Sequence, residues 1–155
     1  MRDKIDNLVK WACVFLLGIL VIDVLWQVFS RYILASPSSF TDEIAGFLLI
    51  WVGLLGAAFV AGKNEHLAID LILQNASPRK TRIIRTIIQT LIALFSLSVL
   101  VIGGSWLVFT RFMLNVKSAA LSIPLGYIYV VLPLSGLLIL YYSVDNLVKL
   151  KNNVE

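Results

Sequence analysis

The chain has 155 residues, 59% of them hydrophobic and 14% charged, with a mean hydropathy of +0.91 and a pI near 9.4. Soluble domains hold about 45–50% apolar and ~25% charged residues, so this composition excludes an ordinary soluble domain and points to a membrane protein. The basic balance is not a nucleic-acid signal, because the lysines and arginines flank apolar runs; no nucleic-acid partner is expected.

A spanning helix needs about 20 predominantly apolar residues. Four stretches qualify, at roughly Leu8–Ile33, Asp42–Ala61, Ile83–Leu114 and Pro124–Leu147. The loops between them leave no room for a soluble domain, which predicts a single all-α membrane domain over 1–155. With the N-terminus cytoplasmic, ten of the 13 basic residues (Arg2, Lys4, Lys10, Lys63, Arg79, Lys80, Arg82, Arg85, Lys149 and Lys151) lie inside. Only Arg31, Arg111 and Lys117 fall outside, a bias that puts both termini in the cytoplasm. A cleaved signal peptide is disfavoured, because the first apolar run is too long and lacks a small-x-small cleavage site. The lone Cys13 permits no disulfide framework.

In the first span, Asp23, Gln27, Ser30 and Arg31 follow the spacing i, i+4, i+7, i+8 and share one helical face. A carboxylate at this depth is by default a functional-site candidate and should face protein rather than lipid. It reads either as a coupling or substrate site or as a hydrogen-bonded seam between helices, and the seam is favoured. The following loop, ASPSSFTDE (Ala35–Glu43), is a turn in which Thr41 or Asp42 can cap the second helix. Asp42 and Glu43 suit the positive end of that helix, and Glu43 is at the depth of Arg31, so an Arg31–Glu43 ion pair is an expectation.

The second span carries Gly53, Ala57 and Ala61 at four-residue spacing, a pattern that lets helix backbones approach closely. Next comes GKNEHLAIDLILQNASPRKTR, in which His66, Asp70 and Gln74 form a polar stripe on an otherwise apolar segment. Too short to span, residues 66–74 read as an amphipathic helix lying in the membrane interface. His66 is the only histidine and has no Cys partner, so a contact to Asp70 or a backbone carbonyl is preferred over metal ligation. Ser77 and Pro78 then supply a cap and first-turn proline for the third helix. From Pro78 to Leu114 that helix would be about 55 Å long at 1.5 Å per residue, longer than the ~30 Å hydrocarbon core. It must tilt, overhang or break near Gly103–Gly104. In the fourth span, Pro133 removes the helical partner of the Tyr129 carbonyl and predicts a kink.

A single histidine excludes bis-histidine haem ligation, and there is no Cys cluster, phosphate-binding Gly-rich loop or intramembrane nucleophile set. Nothing points to an enzyme or to a cofactor. Two readings remain: an autonomous four-helix exporter using Asp23, or an accessory subunit of a larger transporter. The strong charge bias and the absence of a second intramembrane charge to relay Asp23 favour the subunit.

The motifs, in order, resemble one family. FSRY (Phe29–Tyr32) closes the first span, and TDEIAGFLLIWVGLLGAA (Thr41–Ala58) follows a short loop. GKNEHLAIDLIL (Gly62–Leu73) and the Pro-aromatic-Pro span SAALSIPLGYIYVVLPLSGLLIL (Ser118–Leu140) complete the set. Together they are similar to the small membrane (Q) subunit of tripartite ATP-independent periplasmic transporters, with Phe40, Gly126 and Ser135 departing from residues common there. The resemblance implies a multi-pass protein of the bacterial inner membrane, with membrane lipids around it. It also implies a large membrane subunit that carries the substrate and sodium sites and moves as an elevator. A periplasmic binding protein that docks on the outer face would deliver a sialic acid or C4-dicarboxylate. The small subunit would then be a scaffold, and Asp23 a seam residue.

Overall fold

The computed structural model describes residues 2–36, 38–63 and 78–152. Helix α1 covers Arg2–Tyr32 and α2 covers Ser39–Lys63. Helix α3 (Pro78–Phe95) runs through a π-helical segment (Ser96–Gly103) into α4 (Gly104–Met113). The fourth crossing comprises α5 (Leu125–Tyr129) and α6 (Val131–Asn152). Four helical stretches are long and apolar enough to cross a membrane: Arg2–Tyr32, Ser39–Lys63, Lys80–Met113 and Leu125–Leu150. The described residues are thus all-helical, as expected. Residues 66–74, with His66 and Asp70, lie outside them.

The elements extend past the apolar runs at several ends. In α1 the polar turn before Leu8 is already helical, opened by Arg2 and Asp3. The start of α2 differs from expectation: the cap is Ser38, not Thr41 or Asp42. Its Oγ accepts the Thr41 N–H at 3.4 Å, and Thr41 returns its hydroxyl to the Ser38 carbonyl at 3.0 Å. Placing the cap three residues earlier puts Thr41 in the first turn, where its side chain reaches back to the cap. Between the two helices, Ala35 takes φ 49° and the Ser36 N–H bonds the Ser30 carbonyl at 3.1 Å, which turns the chain.

The long third helix does not stop at the two glycines. It widens to i→i+5 turns over Ser96–Gly103 and resumes α geometry at Gly104. The proline effect falls where expected on the fourth crossing: the helix breaks at Val130, leaving Pro133 in the first turn of α6, where its missing N–H costs no bond. The break is covered from α2, since the Trp51 indole N–H donates to the Ile128 carbonyl at 3.0 Å. A backbone acceptor freed inside an apolar layer is costly without such a donor.

Helix α6 is the centre of the bundle. Its buried positions are Val131, Ser135, Gly136, Ile139, Tyr142, Ser143 and Asn146, spaced at helical intervals along one side. It packs against α2 and against the third helix. Ala58, Leu100 and Ile139 meet there as an apolar core flanked by Leu54, Ile92 and Leu132. Three close approaches hold the third and fourth crossings together. A Cβ on Gly136 would lie 2.7 Å from the Leu100 Cβ, one on Gly104 would lie 2.9 Å from the Leu132 Cβ, and one on Gly126 would enter the Phe112 ring. The buried Ser96 hydroxyl donates to the Gly136 carbonyl at 2.6 Å, an interhelical bond made possible by that proximity. Helix α1, by contrast, packs mainly on α2, and its buried residues are Val9 and Ser30.

Candidate functional site

The stripe predicted on α1 does face α2, but its members divide. The Gln27 amide donates to the Asp42 carboxylate, and the buried Ser30 hydroxyl donates to the Gln27 carbonyl at 3.0 Å. Asp23 joins neither bond. One of its carboxylate oxygens, Oδ2, is buried and has no hydrogen-bond partner among the described residues. The seam therefore runs from Gln27 to Asp42, with Asp23 one turn deeper and unsatisfied. An acceptor removed from water without a donor is an unfavourable arrangement.

Arg31 is exposed, and the expected ion pair with Glu43 is not formed. Glu43 is instead taken up by backbone. Its Oε1 accepts the Ala119 N–H at 2.8 Å, and its Oε2 accepts those of Ala120 and Leu121 at 3.1 and 2.8 Å. The loop it caps, 114–124, reverses at Asn115 (φ 47°) and Ser122 (φ 56°) and is tied by the Ser118 N–H to the Ile123 carbonyl at 2.9 Å. A run of successive N–H groups forms a concave anion site, and here an internal carboxylate fills it. The sequence offered no signal for this, because the donors are backbone groups of ordinary alanines and a leucine. Glu43→Ala is expected to speed amide exchange at Ala119, Ala120 and Leu121 while leaving α6 amides protected; unchanged exchange at those three positions would contradict the cap.

The opposite end of the bundle is closed by Arg2, which sequence reasoning counted only as a topology signal. Its guanidinium bonds the Asp145 carboxylate, the Gly62 carbonyl and, at 3.3 Å, the Asn146 side chain. It also lies 5.6 Å from the Tyr142 ring centre, while the Tyr142 hydroxyl donates to Asp6 at 2.6 Å. Lys149 adds a second partner to Asp145 at 2.7 Å. Charge-assisted, multiply bonded arginines are suited to fixing planar arrays of acceptors, and this one ties the ends of α1, α2 and α6.

Between the two polar ends the surface is apolar. Gly53 points away from the bundle, with nothing within 4 Å of where a Cβ would stand, as does Gly46 on the same helix, while the exposed Ala57 lines a groove shared with Leu91, Ile92 and Ile139. Only Ala61 of the expected stripe packs on the core, alongside the fully buried Ala58. The small-residue pattern thus runs from an unpartnered end at Gly53 to a packed end at Ala61. Among the described residues no group of three His, Cys, Asp or Glu side chains could hold a metal ion. What this geometry offers is an exposed apolar surface between two hydrogen-bonded polar ends.

The model of the DctQ component of tripartite ATP-independent periplasmic transporters matches residues 20–152, most of the chain. The chain belongs to this family. It is 28% identical over 137 residues to a Haemophilus influenzae protein named as a TRAP transporter small permease, covering 87% of this chain and 82% of that one. It is 25% identical over 104 residues to the sialic acid TRAP transporter small permease protein SiaQ of Vibrio cholerae, covering 67% of this chain and 60% of SiaQ. A third relative, the sialic acid TRAP transporter permease protein SiaT of Haemophilus influenzae, is 33% identical over 93 residues. That match spans 57% of this chain and 14% of SiaT. As a member of the DctQ family the chain is a transporter component.

Proposed function

We propose that this chain is the small scaffold subunit of a sodium-coupled, binding-protein-dependent importer of a carboxylate solute, of the sialic acid or C4-dicarboxylate type. It spans the bacterial inner membrane with both termini in the cytoplasm. The observation that carries the reading is the match to SiaT, where the similar segment is 14% of a far longer permease. A segment like this one is there part of a much longer permease, and the two relatives named small permease proteins support a large membrane subunit as its partner here. The outward Gly46 and Gly53 positions and the unpartnered Asp23 oxygen support the same view, because both suit a neighbouring protein better than lipid. In this orientation the Glu43-capped loop lies on the periplasmic side, where a substrate-binding protein docks.

Reconstitution tests this directly. Proteoliposomes holding this chain alone, with a sodium gradient and radiolabelled sialic acid or a C4-dicarboxylate outside, are expected to accumulate no label. Uptake is expected when the large subunit is co-reconstituted and the binding protein is added. Sodium-driven uptake by this chain alone would overturn the assignment, and proton-driven export of organic cations would instead support the exporter reading through Asp23.

A further inference from the structure

The return from π to α geometry leaves an opening on the third helix. Gly103 is exposed, and a Cβ there would meet only the Ser98 carbonyl at 3.6 Å. Beside it runs a groove of about 540 Å³, walled by Val99, Gly103, Leu107 and Leu132 and ending at Trp106 and Arg111. The walls are apolar apart from Thr110, whose hydroxyl donates to the Trp106 carbonyl at 2.8 Å, while one end is cationic.

Arg111 is the unusual member. Its Nε is buried and has no hydrogen-bond partner among the described residues. No carboxylate there lies within ion-pair distance of it, and its guanidinium carbon lies 5.8 Å from the centre of the Tyr129 ring. A guanidinium presents five donors suited to the oxygens of a phosphate, so this site is short of an anion.

Depth narrows the choice of anion. Arg111 lies two residues before the end of α4 at Met113, at the boundary of the apolar span. Trp106, 72% exposed, lines the same groove about 7.5 Å deeper along the helix, with the Phe109 ring next to it, and exposed aromatic side chains gather near the level of lipid headgroups. From Arg111 back to Val99 the helix descends roughly 18 Å at 1.5 Å per residue, close to one leaflet of the ~30 Å hydrocarbon core. A lone phosphate would use the cationic end and leave the groove empty. A glycerophospholipid uses both.

We propose that this groove is a phospholipid site, in which Arg111 binds the headgroup phosphate of an anionic glycerophospholipid and an acyl chain lies along Gly103 and Leu107 towards Val99. The inference is independent of the transported solute and of the large subunit.

The full-length chain, purified in a neutral detergent, is titrated with dioleoyl phosphatidylglycerol and examined by native mass spectrometry. The unmodified chain is expected to retain one lipid tightly. Arg111→Gln, which loses the charge-assisted bonds, is expected to weaken retention about tenfold. Gly103→Leu fills the groove at a position where a Cβ makes only an ordinary contact with the Ser98 carbonyl, and is expected to weaken retention similarly while elution and helical content stay unchanged; it decides the matter if Arg111→Gln does not fold. Neither inorganic phosphate nor the deacylated headgroup glycerophosphoglycerol, at the lipid's concentration, should displace the lipid. Displacement by either would make this a free-anion site and overturn the proposal, as would lipid retention unchanged in Gly103→Leu.

Discussion

Gly136→Val is expected to leave little monodisperse protein. The Cβ would sit 2.7 Å from the Leu100 Cβ and 3.1 Å from the Val101 backbone nitrogen, and backbone cannot swing aside as a long side chain can. Helix α6 must therefore back away from the π segment. Overpacking of this kind costs about 1–3 kcal/mol, and more where the backbone has to move. The same displacement stretches the 2.6 Å bond from Ser96 to the Gly136 carbonyl, leaving both groups unsatisfied within an apolar bundle, at a further cost of about 1–3 kcal/mol. Gly53→Val is the control, since a side chain there has nothing within 4 Å to meet. Thermal unfolding of the detergent-purified chains, followed by circular dichroism, should show a large loss for the first variant and none for the second. Equal melting temperatures would mean that α6 and the π segment are not held by this close approach. If the large subunit packs on this empty face, Gly53→Val co-purified with it should recover less complex.

This contrast also marks what the sequence could reveal. Four spans, the family and the Pro133 break follow from patterns local to the chain: runs of apolar residues, ordered motifs, and a ring that removes one N–H. The two kinds of glycine are different. Gly53 and Gly136 are identical as letters, and the four-residue spacing on α2 drew notice to the one that faces outward. Whether a glycine meets a partner depends on the rotation of its helix in the bundle, which periodicity sets only when one face is polar. In a membrane helix both faces are apolar, so the signal is lost. Polar residues restore it in part, and Gln27, Ser30 and Asp42 do lie on the α1–α2 contact. The expected Arg31–Glu43 pair still fails, because Glu43 takes a run of backbone N–H groups some 76 residues away over the arginine at its own depth. Arg2 was hidden for a related reason. Basic residues at helix ends are expected for topology alone, and nothing in its surroundings in the sequence distinguishes it from Lys4 or Lys10.

Asp23 gives the sharpest division between a residue that serves this chain and one that serves an assembly. Its buried oxygen has no donor among the described residues, so in the isolated chain its removal should relieve an unsatisfied group. Asp23→Leu is expected to raise the unfolding free energy of the purified chain by about 1–3 kcal/mol, an unusual direction for a substitution. Asp23→Asn removes the charge and keeps the shape, and should stabilise by less, since an amide still lacks a partner. The outcome in the complex has the opposite sign. If the large subunit supplies the donor, Asp23→Leu leaves that donor buried and alone, and the amount of complex recovered falls. Asn can still accept its hydrogen bond, so recovery and transport per assembled complex are largely kept. A coupling carboxylate would behave otherwise: Asn would assemble fully and transport nothing, because the charge itself would be the working part. Stability of the chain alone, recovery of the complex and uptake per complex thus separate three roles for one side chain. A loss of stability in the isolated Asp23→Leu chain would show that Asp23 has a partner within its own bundle after all.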